Sequence, residues 1–511
     1  MAPDFDFSIK PVDSTLPTLI QALLESHRYP GDVGRVELVQ THISWVLLAG
    51  AFAYKIKKPV ALPFLDFSTL ALRKKYCEDE LRLNRRFSPS IYLDVVGIFN
   101  IPQDPQFEGS GQPIEYAVKM HRFDEAARLD RVCSRGELHA GNLSDLAAKL
   151  AAFHANAQRS PPGSRYGSPA EVIAPMRDSL RDLMAWLPHG GAPQRLLALQ
   201  AWTETQFEQL APLLKIRQES GWVRECHGDL HLANLVLIDK QVQLFDCIEF
   251  SEDLRWIDVV SEISFTYIDL MAHGRPGLAK WLVNEVWERT GDYEAARVLR
   301  FYAVYRALVR AKVTAIRMRQ ASQGDAETMS YVALAERLVL PQPLRLVITH
   351  GLSGCGKTTA SSALLQSDTH AHTVRLRSDT ERKRLFGLAG SARSDSGAGA
   401  GIYSPSVDAR TYRRLLEMTD MLMAAGWSVI VDATFLKRAD RDSFPALAGR
   451  YGAAFSILAP EATAGQLCER ILARQLQGQD ASEATLDVLA RQLSVIEPLT
   501  PQERAWTVTQ A

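Results

Sequence analysis

The segment Gly351-Leu352-Ser353-Gly354-Cys355-Gly356-Lys357-Thr358 satisfies G-x-x-x-x-G-K-[ST] at every position. It follows an apolar run and opens a helix-like text, TASSALLQS, which is the setting such a loop needs. Glycines let the backbone approach a ligand closely. Successive N–H groups and the helix N-terminus then form a concave nest for phosphate oxygens. Lys357 adds a point charge at the β/γ-phosphates, and Thr358 offers a hydroxyl to Mg²⁺. The expected nucleotide-binding residues are Gly351, Ser353, Gly354, Cys355, Gly356, Lys357, Thr358 and Thr359, with ATP as the ligand. Further on, Trp427-Ser-Val-Ile-Val-Asp432 is an apolar run ending in an acid. Asp432 can hold Mg²⁺ or its waters beside Thr358. A strand-end aspartate that caps a turn would leave the same text.

Between these two segments lies Arg377-Ser378-Asp379-Thr380-Glu381-Arg382. An Asp-x-x-Arg step after the second strand resembles the acceptor site of the polynucleotide-kinase, zeta-toxin and gluconate-kinase-like group of P-loop kinases. That resemblance spans nearly all of 344–511. It implies that Asp379 takes the acceptor hydroxyl's proton and that Arg382 orients acceptor or phosphate. Carboxylate as base and guanidinium as clamp suit those roles. The alternative is a plain helix N-cap by Ser378 or Asp379. In the same kinases, lid arginines close over the transferring phosphate. Arg470 and Arg474, four apart on one helical face, fit that part, or else a solvated basic face.

A second constellation stands upstream. Cys226-His227-Gly228-Asp229-Leu230-His231-Leu232-Ala233-Asn234 is followed by two short apolar runs and then Asp246. This resembles the catalytic loop of the aminoglycoside-phosphotransferase and choline-kinase group, relatives of protein kinases. The resemblance covers roughly 30–330 and rests mainly on 225–250. Asp229 is then the base or orienter for an acceptor hydroxyl. Asn234 turns back to a metal, and Asp246 is the stronger metal ligand. Such oxygen ligands suit Mg²⁺. His227 is expected to be a structural hydrogen-bonding residue, and His231 has no assigned role. A loop whose polar residues only satisfy turns is the alternative.

The same group needs a strand lysine paired with a glutamate on the next helix. Ala53-Tyr54-Lys55-Ile56-Lys57 and Cys77-Glu78-Asp79-Glu80 supply both. Lys55 with Glu80 is the expected pair against the α/β-phosphates, with Lys57 and Glu78 as substitutes. An ordinary surface pair is the other possibility. The departures are a metal aspartate followed by Cys-Ile-Glu rather than Phe-Gly, and no glycine-rich loop beyond Gly50. Both halves together resemble bacterial fusions of an aminoglycoside-phosphotransferase-like domain with an ATP-binding predicted kinase.

The elements must bring these residues together. Residues 30–123 read as short strands around one helix near 68–87, a small β-rich lobe. Residues 124–335 read as a larger, mostly helical lobe holding two short strands near 235–245. At 335–343 the text AERLVLPQP ends a helix in two prolines, a natural hinge. From 344 onward, strand, glycine turn and helix alternate as in a parallel sheet covered on both faces. The expected fold class is therefore α/β and α+β in two domains. The first, 1–335, is a bilobal protein-kinase-like fold; a linker covers 336–343; the second, 344–511, is a P-loop parallel α/β sheet. The Gly/Ala/Ser-rich stretch 389–401 is expected to be a loop.

Composition sets the outer limits. A chain of 511 residues exceeds one ordinary core. With 58 basic against 59 acidic residues, nothing global suggests a nucleic-acid coat. The nearest to a basic patch is Arg306, Arg310, Lys312, Arg317 and Arg319, expected to decorate a helix's solvent face. Six scattered cysteines without a CxxC pair suit a reducing compartment. The acidic start lacks a signal-peptide core, and the longest apolar stretch is too short for a bilayer. A cytoplasmic enzyme is expected, without membrane or nucleic-acid partners. It would use ATP and Mg²⁺ to phosphorylate a hydroxyl of a small molecule. Two alternatives stay open: one active P-loop head with a binding or regulatory first domain, or a nucleic-acid end kinase or toxin-like kinase.

Overall fold

The computed structural model describes residues 16–62, 65–320, 324–390, 392, 394, 401–477 and 483–508. The acidic start up to residue 15 and most of 389–401 lie outside the described residues, as does the side chain of Arg474. By contact, the chain forms two compact units. The first holds residues up to Leu146, Ala152–Arg177 and Ala211–Asp269. The second holds Ala147–Ala151, Asp178–Leu210 and Leu270–Ala511. The helices from Leu270 to the proline hinge thus belong to the same unit as the C-terminal sheet, although they precede the hinge.

In the first unit the run Trp45–Ile56 is not one strand. Gly50, at φ 56°, turns it into a hairpin of β2 (Ser44–Ala49) and β3 (Phe52–Lys57), behind β1 (Glu37–Gln40). Sequence reading missed β4 (Tyr92–Ile101) and β5 (Asp104–Gln106), and found β6 (Glu115–His121). The sheet runs β1-β2-β3-β6-β4-β5. Helix α1 (Leu70–Arg85) starts at an N-cap, the Thr69 hydroxyl accepting from the Leu72 amide at 3.2 Å. Its buried positions include Arg73, Cys77, Glu80 and Asn84, one stripe at helical spacing. That stripe carries charge because it faces a site as well as a core. The larger lobe contributes β7 (Val223–Glu225), the ribbon β8 (Leu235–Ile238) and β9 (Gln241–Leu244), β10 (Trp256–Asp258) and helix α2 (Val259–Ala272).

The second unit contains helices α3 (Pro276–Thr290) and α4 (Ala296–Gln320) and a five-stranded sheet. Its strands are β11 (Arg345–Thr349), β12 (Thr373–Arg377), β13 (Ser428–Asp432), β14 (Ala454–Leu458) and β15 (Thr507–Val508). They are all parallel, in the order β12-β13-β11-β14-β15. Helix α5 (Lys357–Gln366) follows β11, and α6 (Ser378–Arg384) follows β12. Strands β11 and β13 bury an apolar run on both faces, as a covered parallel sheet requires.

The basic series on α4 needs correction. Arg306 is only 2% exposed, Lys312 meets Asp182 at 2.6 Å, Arg317 pairs with Glu327, and Arg319 lies over Trp186. These cations hold helices together and do not form one solvent face. Among the described residues, no helix is long and apolar enough to cross a membrane.

Candidate active sites

In the first unit Lys55 and Lys57 point from β3 to the same place, since side chains two apart share a strand face. Lys55 Nζ lies 2.8 Å from Glu80 Oε1 and also pairs with Asp246. The second Glu80 oxygen takes Lys57, whose ammonium also meets Glu249. Lys57, Glu80 and Glu249 are buried, so each charge depends on its partners. Burial opposes the charge on Lys55, but Asp246, Glu80 and Glu249 outweigh it and hold the ammonium well above its usual value. Burial likewise pushes the Asp246 carboxyl up, and Lys55 more than reverses that. Glu78, the substitute for Glu80, pairs at the surface with Lys74.

Asp246 is held in the left-handed region at φ 62°, a strained setting for a non-glycine residue. The Tyr92 hydroxyl accepts from its amide at 2.9 Å, and Asn84 Oδ1 accepts from the Cys247 amide at 2.9 Å. Tyr92, Asn84 and Glu249 were all missed from sequence. The only signal was the unusual Asp-Cys-Ile-Glu text.

The loop carrying Asp229 hangs on one face of α2. Glu262 accepts from the His227 amide at 2.8 Å. Thr266 donates to the Leu230 carbonyl at 2.6 Å, and Asp269 accepts from the Leu232 amide at 2.9 Å. Positions i, i+4 and i+7 thus make three rungs. Burial would raise the Glu262 carboxyl, but His154, with Nε2 at 3.1 Å, and the Cys226 thiol bring it down to about 2. His227 is buried, its Nε2 2.8 Å from the Phe245 carbonyl, and burial lowers its pKa. His231, unassigned from sequence, touches Asp229. Its Nδ1 accepts from the Ala233 amide, which assigns the proton of the neutral ring to Nε2, 3.3 Å from Asp229 Oδ2. Asn234 donates through Nδ2 to the Asp229 carbonyl at 2.9 Å. Its Oδ1 is therefore the atom available to a cation.

In the second unit one cavity of about 640 Å³ is lined by Ser353, Gly354, Gly356, Lys357, Thr358, Thr359, Asp379, Arg382, Asp432 and Arg470. Gly351 and Cys355 do not line it; Cys355 is buried against Leu467, Ile471 and Leu489. Gly354 has φ 87°, and a Cβ there would lie 2.8 Å from the Leu467 carbonyl. The loop's close packing on the helix Ala464–Gln477 therefore requires glycine. Arg470 of that helix donates to the Gly354 carbonyl at 3.3 Å. Lys357 Nζ lies 2.9 Å and 2.7 Å from the carbonyls of Gly351 and Leu352. Gln492 accepts from the Ser353 amide at 2.7 Å and donates to its hydroxyl at 3.0 Å. Asp432 accepts from the Ser361 hydroxyl at 3.0 Å. Arg382, in the same cavity, pairs with Asp408 and donates to the Ile402 carbonyl. Tyr403, Asp408, Tyr412, Lys437 and Asp440 line the same cavity and were missed. They come from three separate segments with no motif to join them. Burial raises the Asp440 carboxyl.

The donor sets fit Mg²⁺. Asn234 and Asp246 in one site, and Thr358 and Asp432 in the other, offer oxygen only, which suits a hard cation.

Comparison with known proteins finds a family model matching part of each half. Residues 66–299 match the family model described as Phosphotransferase enzyme family, and residues 346–499 match one described as AAA domain. The chain is 28% identical over 456 residues to the Uncharacterized protein Rv2004c of Mycobacterium tuberculosis, covering 89% of each chain. Among solved structures, a choline/ethanolamine kinase family protein from Mesorhizobium loti overlaps 63% of this chain and 93% of its own, at 11% identity and a TM-score of 0.39. The APS kinase of Mycobacterium tuberculosis, in complex with AMPPNP and APS, overlaps 33% of this chain and 90% of its own, at 20% identity and a TM-score of 0.25.

Proposed function

We propose that both heads of this ATP-dependent kinase transfer the γ-phosphate to a hydroxyl of a small molecule, a reading supported by the matches to a phosphotransferase family model at 66–299 and an AAA domain model at 346–499. The observations that carry this are Lys55 held between Glu80 and Asp246 in the first head, and Lys357, Asp379 and Arg382 lining one cavity in the second. In the first head, Lys55, fixed by Glu80, faces the nucleotide phosphates, and Asp229 receives or orients the acceptor's proton. His231 donates to Asp229 and keeps its carboxylate aimed. In the second head, Lys357 and the loop amides hold the phosphates, and Asp379 and Arg382 face the acceptor across one cavity. Mg²⁺, bound by Asn234 and Asp246 or beside Thr358 and Asp432, would neutralise charge building on the phosphates. Lys357 must leave its own loop's carbonyls to reach a phosphate, and Gln492 must release the Ser353 amide.

The two family domains are proposed to meet at 336–343, where Pro341 and Pro343 separate the helix Ala326–Val339 from β11. None of the six cysteines is disulfide-bonded, which supports a reducing, cytoplasmic setting.

The test incubates the folded full chain with γ-labelled ATP, Mg²⁺ and a desalted small-metabolite extract. Wild type, Asp229→Ala and Lys357→Ala run side by side. Two labelled products are expected, one lost in each variant by about 100-fold or more. Label lost only with Lys357→Ala would make the first domain an accessory. No labelled metabolite from wild type would overturn the small-molecule reading.

A further inference from the structure

Helix α3 lies outside the 346–499 family match, yet it is mated to the P-loop sheet. A Cβ built on Gly277 would fall 1.8 Å from the Gln366 carbonyl oxygen, so only glycine allows α3 this close to the end of α5. Trp281 packs on the core of Val347, Leu365, Ile430 and Leu458. Among the described residues, strand β12 lies at one edge of the sheet and has β13 as its single strand neighbour. Asn284 of α3 accepts from the Arg375 amide at 2.7 Å, covering part of that open edge.

One turn further on, Glu288 reaches the residues that lead into the acceptor segment. Its Oε1 accepts from Arg377 at 3.0 Å and from the Thr380 hydroxyl at 3.1 Å, and its Oε2 accepts from Arg375 at 3.4 Å. Its backbone carbonyl accepts from Arg384 at 2.5 Å. Glu288 is buried, and Arg377 and Arg375 hold its carboxyl below the usual range against the opposing effect of burial. Arg377 and Thr380 flank Ser378-Asp379, and both of those residues line the cavity.

We infer that Glu288 is a positioning residue for the P-loop kinase, supplied by a helix outside the P-loop domain, which fixes the segment bearing Asp379 by gripping it on both sides. The inference rests on the reading of Asp379 as the acceptor-side base. A carboxylate with three partners on one short segment sets both the end of β12 and the first turn of α6. Misplacing a base by an ångström costs rate and leaves nucleotide affinity alone.

The test uses the full chain with Glu288→Gln and Glu288→Asp, read by amide hydrogen exchange and by turnover of γ-labelled ATP. In Glu288→Gln, exchange across 377–384 is expected to rise while 345–349 and 428–432 stay protected. Lys357-dependent turnover is expected to fall about tenfold with KM for ATP within about twofold, and Glu288→Asp to recover part of the loss. If Glu288→Gln loosens all three segments together, Thr380→Val is read instead, since it removes one contact and leaves the carboxylate its arginines. Exchange across 377–384 equal to wild type in the variant read would overturn the inference, whatever happens to turnover. Loosening confined to 377–384, with wild-type turnover indifferent to Lys357→Ala, would keep the grip and sink the kinase reading of this head.

Discussion

Glu80 carries a lysine on each of its two oxygens, so a single substitution there takes one of two carboxylate partners from each of two buried ammonium groups. Removing one partner of a buried ion pair costs far more than the intact pair contributes, because the remaining charge stays desolvated. Glu80→Gln is therefore expected to lower the unfolding free energy of its unit by about 3–5 kcal/mol, measured by urea denaturation. It should also abolish Asp229-dependent phosphotransfer. A loss below about 1 kcal/mol would mean that Glu249 and Asp246 suffice for both lysines. At this scale the sequence was partly readable. The family resemblance pointed to Lys55 and Glu80, because that group pairs a strand lysine with a glutamate on the next helix. Lys57 stood only as the runner-up on the same strand face, and the structure gives it a pairing of its own with Glu249. Nothing in a one-dimensional text announces that Asp246 sits at φ 62° or that Tyr92 holds its amide.

Helix α2 shows what an element adds. Its text, VVSEISFTYIDLMA, reads as a core helix, and three polar residues at positions 262, 266 and 269 are easily taken for a minor surface face. All three are buried, and each takes one backbone group of the loop that carries Asp229. Buried backbone groups need partners, and a loop cannot supply enough of its own. The sign of the pH effect follows from Glu262. Its folded value near 2 lies below the ordinary 4.5, so its contribution is fully present above about pH 4.5 and is lost as pH falls toward 2. Glu262→Gln should flatten the acid side of the stability curve between those two values and leave the slope near neutrality as in wild type. Equilibrium denaturation at a series of pH values checks this. An unchanged acid slope would show that other carboxylates dominate. The hairpin at Gly50 teaches a related lesson: an unbroken apolar run hid a turn, because one glycine in a strand-like text is a weak signal.

At the scale of the whole molecule, the two kinase-like texts were legible because each motif is compact and sits between recognisable elements. The packing was less legible. Prolines mark where the chain changes direction, and contacts need not respect that mark. Trp427 is buried beneath α3 and α4, edge-on to Trp287 at 6.3 Å, with Lys280 Nζ 3.9 Å from its ring centroid and its indole N–H donating to the Ala296 carbonyl at 2.8 Å. A fragment spanning 344–511 would leave that indole in water. Its Trp427 emission, read with Trp506→Phe to remove the fragment's other tryptophan, is expected to lie to the red, near that of the same fragment unfolded in urea. Emission well to the blue of the unfolded fragment would show that the sheet closes over Trp427 without the earlier helices.

The fit of Gly277 against Gln366 bears on ancestry. Recombination favours joints where few contacts are severed, and the proline hinge looks like such a joint on paper. A gene broken there would leave the second half with an uncovered sheet edge and no carboxylate behind the segment that bears Asp379. Descendants of such a break would have to evolve a substitute cover, whereas descendants that kept the two halves together inherited one ready-made. The fusion is then an inheritance that is hard to renounce, and lineages carrying it should split the gene upstream of Leu270 or not at all.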